Sequence, residues 1–374
     1  MRFLRVLMFV FRMLFGIIFI LSGFFKLTDP VGTGLIVDEY LRTLHLGFLD
    51  FGSVAFGMVL SVTEFLIGIA ILMCVRMRVA AVAGLVMMLF FTVLTFFLAV
   101  RGGIEECGCF GQAIHLTMWE TFFKNVALTL CIVPIFTFRK KFRPVAPVPA
   151  EWAFLATYGA LALICVLYSY FNIPLVEYGN FRVGTNLSAK LDKITDNDNF
   201  ETLFLYERDG QQELFDLEHL PDSTWTYVST ESRYRGDERD LLFDMTLSDS
   251  DGEIVTGELV NSEVPVFLFV VLEPGRLDSP YWSKVAESMD SVAFYGGIAR
   301  VAVPVMDPVM DSVAVRYPDV GRVMVYGDIK TLISMSRSNG GVMLIHNGIV
   351  VKKWSWWRFS PDDVRRTFMM DTRR

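Results

Sequence analysis

After Cys165 the chain has no cysteine, so its second half can neither close a disulfide nor carry a thiol-based centre of its own. That half also lacks a basic patch. Residues 175–374 hold 21 Lys and Arg against 32 Asp and Glu, which excludes a nucleic-acid backbone as partner. No second pair of ligands accompanies the one close cysteine pair, which leaves metal the least favoured reading of that pair; no metal ligand is expected. No A-x-A-like cleavage site follows the first apolar run, so that run is read as a retained span rather than a signal peptide. Repeats and low-complexity tracts are absent.

What the chain has in excess is apolar residues. At 53% hydrophobic with 33 Phe in 374 residues, it is too apolar for a single soluble domain. Runs at about Val6 to Phe25, Ser53 to Val75, Val79 to Val100, Trp119 to Phe138 and Trp152 to Phe171 each match a bilayer crossing of roughly 20 residues. Positive charge in the short loops sets an expected orientation. Arg2 and Arg5, then Arg76 and Arg78, then Arg139, Lys140, Lys141 and Arg143 belong on one side, the cytoplasm. The loops Lys26 to Gly52 and Arg101 to Thr117, and everything after Tyr170, then face outward, in the periplasm of a bacterial inner membrane. The expected division is residues 1–143 as a four-helix membrane domain, 144–174 as a proline-marked linker and fifth tethering span, and 175–374 as an extracytoplasmic soluble domain. Gly34 to Leu46 reads as a short helix on the membrane surface, and Thr117-Met118-Trp119-Glu120 as a capping box opening the fourth span.

The soluble part reads as α/β. Strands are expected at Phe200 to Tyr206, Val264 to Leu272 and Ala299 to Val305, and helices at Trp282 to Ser288 and Lys330 to Ser336. A hairpin is expected from Leu242 to Val255, and a closing one from Val342 to Trp354 around His346-Asn347-Gly348. Strand, helix, strand, helix, hairpin is the order of a thioredoxin-like sheet. Two departures mark it as redox-silent. Leu272 to Asp278 follows the central strand without a C-x-x-C, and Asn339-Gly340-Gly341 stands where a cis-proline would precede the hairpin.

The chemistry-bearing candidate is Cys107-Gly108-Cys109. A disulfide across so short a loop removes little unfolded-state entropy and makes a poor staple. Gly108 allows the bend that brings the sulfurs together, and such a bond is readily reduced. The pattern therefore suits a working dithiol; two unpaired loop thiols and half of a zinc site are the alternatives. His115 is a candidate to lower a thiol pKa or relay a proton, against the opposing charges of Glu105 and Glu106. Cys165 is a candidate exchange partner or a small buried hydrophobe. Glu64 lies in mid-span, where an ionisable group is costly. Counted depths bring Arg12 near it, as a structural Arg12–Glu64 pair or a proton or quinone-headgroup site, while Lys26 is expected to reach out to the interface. Phe90, Phe91, Phe96 and Phe97 would line a quinone pocket or meet lipid. Trp354, Trp356 and Trp357 are a partner surface or, in part, core.

Ser22-Gly23-Phe24-Phe25-Lys26-Leu27-Thr28-Asp29-Pro30 and Glu106-Cys107-Gly108-Cys109-Phe110-Gly111 resemble the DoxX/MauE family of redox-associated bacterial membrane proteins, over about residues 1–140. The resemblance implies a four-helix bundle with a part in thiol–disulfide or quinone-linked electron transfer. The family's functional cysteines map onto Cys107 and Cys109. Membrane lipid, a membrane quinone and an extracytoplasmic client protein are the expected partners; a non-catalytic assembly or docking protein is the alternative.

Overall fold

The computed structural model describes residues 2–102, 116–142, 146–196, 199–208, 211–217, 219–234, 243, 245–305 and 308–371. They form two compact units. The first takes residues up to Gly179 together with two later segments, Ile333–Gly341 and Trp354–Arg358; the second takes the rest.

The first unit is helical: α1 (Arg2–Thr28), α2 (Pro30–Thr43), α3 (Ser53–Leu72), α4 (Met77–Arg101), α5 (Met118–Thr137) and α6 (Val148–Phe171). Among the described residues five helices are long and apolar enough to cross a membrane, one of them α3 with the helical turn Gly47–Gly52 ahead of it. Phe15, Phe19, Ile71, Met88 and Ile132 form the buried centre where α1, α3, α4 and α5 meet. Glycines fix how α1 and α3 lie together. A Cβ on Gly23 would stand 2.7 Å from the Phe65 backbone, one on Gly68 2.7 Å from that of Ile20, and one on Gly16 2.9 Å from Leu72 Cβ. Only bare backbone permits this approach, the small-residue packing expected of helices in lipid.

Two elements differ from their sequence reading. The helix expected on the membrane surface begins earlier, at Pro30, and buries Thr33, Gly34 and Val37; Gly34 and Gly57 let it lie close on α3. Of the residues whose spacing suggested a surface stripe, Leu35, Leu41 and Leu44 are half-buried and Tyr40 packs on the cluster of Leu98 and Met118. The fifth span is not a bare tether either: Ala162 and Val166 of α6 share a buried cluster with Leu27.

The second unit holds two sheets. A helix, α7 (Leu187–Thr195), precedes an antiparallel three-stranded sheet of β1 (Phe200–Arg208), β2 (Gln211–Phe215) and β3 (Thr226–Tyr234) in the order β2-β1-β3, with a bulge at Leu205/Tyr206. Then follow β4 (Leu247–Ser248), α8 (Thr256–Val260), β5 (Val266–Val270), α9 (Ser279–Phe294), β6 (Ile298–Pro304), α10 (Pro308–Arg316), α11 (Pro318–Arg322), β7 (Met324–Gly327), α12 (Ile329–Met335), β8 (Gly341–His346), β9 (Ile349–Trp354) and α13 (Pro361–Asp371). The larger sheet runs β9-β8-β5-β6-β7-β4. β5 is buried at every position, as its two-sided apolar run requires, and β6 and β7 continue from it in parallel. Asn347 and Gly348 take positive φ in the β8–β9 turn, the chemistry such a turn demands. Of the hairpin expected from Leu242 to Val255, the structure has a short antiparallel arm: Ser248 bridges to Ile254, the Val255 amide donates to the Leu247 carbonyl and the Asp249 amide to the Glu253 carbonyl, both at 2.9 Å, while β4 also pairs with β7. Leu242 itself lies outside the described residues.

Candidate functional site

The junction of α1 and α2 gathers a group of buried polar residues: Ser22, Lys26, Thr28, Asp29, Thr33 and Glu64. Pro30 lacks an N–H and clashes with a continuing helix, so α1 stops at Thr28 and α2 starts anew. Asp29 caps the new helix: its Oδ1 accepts from the Gly32 amide at 2.9 Å, and its carbonyl accepts from Thr33 Oγ1 at 2.9 Å. The other carboxylate oxygen of Asp29 accepts from Arg337 Nε at 3.2 Å, with both side chains about 5% exposed or less. Arg337 also donates through Nη1 to the Ile333 carbonyl at 2.9 Å.

One turn before the junction is a buried ion pair. Lys26 Nζ stands 2.6 Å from Glu64 Oε2, with side-chain exposures of 5% and 4%. Ser22 lies one helical turn below Lys26 and completes the triangle, donating to Glu64 Oε2 at 3.0 Å and accepting from Lys26 at 3.1 Å. The Phe91 ring of α4 lies 5.8 Å from the ammonium. An ion pair withdrawn from water needs such added hydrogen bonds to offset desolvation. Further along α4 and α5, Asn125 Nδ2 donates to Thr95 Oγ1 at 3.3 Å, and Thr92 and Thr129 hydroxyls meet at 3.1 Å.

The expected Arg12–Glu64 pair does not form. The glycine register places Arg12 beside Cys74, to whose sulfur its Nη1 donates. Cys74 is ten positions beyond Glu64, on the order of 15 Å along a helix. Lys26, expected at the interface, turns inward because Glu64 comes level with it. Ser22 and Lys26 are four apart and share a helix face, a spacing that could have exposed the site. Asp29 and Arg337 carried no such local signal, being separated by most of the chain.

Of the other expected site residues, Cys107, Cys109 and His115 lie outside the described residues. Leu98 of α4 and Met118 of α5 form one buried cluster, with Tyr40 of α2 packed against it. Arg101 Nη2 donates to His45 Nε2 at 2.7 Å, Gly102 ends α4 with φ +71°, and the Thr117–Glu120 capping box opens α5. Cys165 packs, partly buried, on the cluster of Leu27, Ala162 and Val166. Phe90, Phe96 and Phe97 are exposed on α4, whereas Phe91 faces Lys26. Trp354 is buried, but Trp357 is 63% exposed. Among the described residues no group of three or more His, Cys, Asp or Glu side chains could hold a metal ion.

In the second unit the Tyr281 phenol is pushed above its ordinary pKa range by complete burial. Lys284 is lowered by partial burial, against the opposing pull of Asp363.

Comparison with known proteins gives two findings. Residues 4–138 match the family model of the methylamine utilisation protein MauE, a match that spans α1 to α5. Residues 200–234 match the model of a domain of unknown function (DUF8463) and coincide with the three-stranded sheet. Neither the search of curated proteins nor that of solved structures returns a significant match.

Proposed function

We propose that the chain is a bacterial inner-membrane redox protein of the MauE kind, in which Cys107 and Cys109 cycle between dithiol and disulfide at the outer face. The observation that supports this reading is how near to each other the two helices flanking the cysteine segment end. Leu98 of α4 and Met118 of α5 share one buried cluster on Tyr40, and Arg101 donates to His45. In the oxidative direction two thiols and a quinone become a disulfide and a quinol, transferring two electrons and two protons. In exchange with a protein, one thiolate attacks a client disulfide and the other resolves the mixed disulfide. In this reading His115, the histidine nearest the pair in sequence, takes the proton. The distribution of basic residues supports an outward cysteine segment and a periplasmic second unit.

The second unit is, in this reading, a thioredoxin-like domain without redox cysteines. Support comes from the parallel β5-α9-β6 unit and the closing β8–β9 hairpin. Its role is to dock the client, a disulfide-containing enzyme subunit of the kind suggested by the MauE resemblance.

Trapping tests the proposal. Cys107→Ser and Cys109→Ser each leave one thiol without its resolving neighbour, so at least one variant accumulates a reducible adduct with a client on non-reducing gels. Absence of an adduct from both variants rejects thiol exchange with protein. The alternative, a docking protein without catalysis, draws on the aromatic cluster of the small sheet, where Tyr206, Phe215, Trp225 and Tyr227 meet edge to face. A docking protein keeps its function when both cysteines are replaced by serine.

A further inference from the structure

The segment Trp354–Arg358 belongs to the first unit although it follows the closing hairpin. Ser355 Oγ donates to Asn172 Oδ1 at 3.4 Å, and Asn172 is the residue directly after α6. The Arg358 guanidinium lies 5.5 Å from the Tyr168 ring centroid, one turn before that helix end. The next two side chains from Ser355, Trp356 and Trp357, have ring centroids 3.8 Å apart with planes tilted by 33°; Trp356 is half-buried and Trp357 is 63% exposed.

These residues are therefore held level with the end of a membrane span. The same end of the bundle carries other exposed aromatics. Val166 clusters with Leu27 and, partly buried, Met58, so α6 and α1 finish where α3 starts. Phe171 ends α6 at 57% exposed, and Phe48 and Phe51 precede α3 at 71% and 88%. Rings with one polar edge, beside a guanidinium at the limit of a hydrocarbon span, match the chemistry of the lipid headgroup layer.

We propose that Trp356, Trp357 and Arg358 form an interfacial anchor that inserts into the bilayer headgroup region beside the end of α6. The indoles take the boundary between glycerol and chain, and Arg358 takes lipid phosphate. The chain thus returns to the membrane surface after leaving it at Phe171, a binding role independent of any thiol chemistry.

Photo-crosslinking of the full chain in phospholipid vesicles tests the anchor. With p-benzoylphenylalanine in place of Trp357, irradiation yields a phospholipid adduct at no less than about one-third of the yield from the same probe at Val93, a 69% exposed position on α4. A lower yield, or an adduct with protein in place of lipid, overturns the proposal. Fluorescence gives an independent reading. The emission lost in a Trp356→Phe, Trp357→Phe double variant is quenched in the wild type more by lipids brominated near the headgroup than by lipids brominated near the chain end. Emission insensitive to both, or quenched more by the deep bromines, overturns it equally.

Discussion

Lys26 of α1 and Glu64 of α3 form a 2.6 Å ion pair with both side chains at least 95% buried, and Ser22 bonds to each of them. A buried pair of this kind contributes little against a well-packed apolar replacement, but removing one partner strands a charge at a cost of about 3–5 kcal/mol. Lys26→Met and Glu64→Leu alone are each expected to lose that much in detergent unfolding. The Lys26→Met, Glu64→Leu double variant recovers most of the loss. Additive losses in the double variant contradict the pairing.

Glycine contacts give a second prediction. Gly23→Leu and Gly68→Leu force α1 and α3 apart, because even a Cβ at either position meets backbone at 2.7 Å. Overpacking of this sort costs about 1–3 kcal/mol or more, and it also separates Lys26 from Glu64. Gly159→Ala is the contrasting case. Its Cβ would lie 3.6 Å from Leu66, an ordinary contact, and Ala is favoured over Gly in a helix by about 1 kcal/mol. Thermal unfolding of the three variants should show two falls in midpoint and no fall for Gly159→Ala.

How far these features were legible in the sequence depends on what each one rests on. Span limits and the Thr117–Glu120 capping box are written in local composition and spacing, and the structure has them close to where they were expected. Helix register is not local. Counting depth from span ends placed Arg12 near Glu64, whereas Gly16, Gly23 and Gly68 set an offset that brings Lys26 there instead. Lys26 was misread because a lysine near a span end ordinarily extends to water. The four-residue strand β7 was missed because Met-Val-Tyr-Gly is too short to show alternation, so of the two partners of β4 only the Ile254 arm was foreseen. The Asp29–Arg337 pair joins residues more than 300 positions apart, beyond the reach of any pattern in one sequence.

That pair supports a third prediction. Asp29→Ala removes the cap of α2, worth about 0.5–2 kcal/mol, and also leaves the Arg337 guanidinium buried without its carboxylate. Arg337→Met keeps the cap. Asp29→Ala is therefore expected to be the more destabilising of the two, and Arg337→Met introduced into Asp29→Ala to restore part of the loss, read as the midpoint of denaturant unfolding. No restoration would mean that Asp29 matters for the cap alone.

The central claim concerns Cys107 and Cys109, and differential alkylation of native membranes tests it most directly. Free thiols are blocked with one reagent, then disulfides are reduced and blocked with a second reagent of different mass, with the terminal electron acceptor present or withheld. The account predicts that Cys107 and Cys109 change state together with the acceptor, while Cys131, 6% exposed within the bundle, stays reduced throughout. A cysteine pair held in one state under every condition would contradict it.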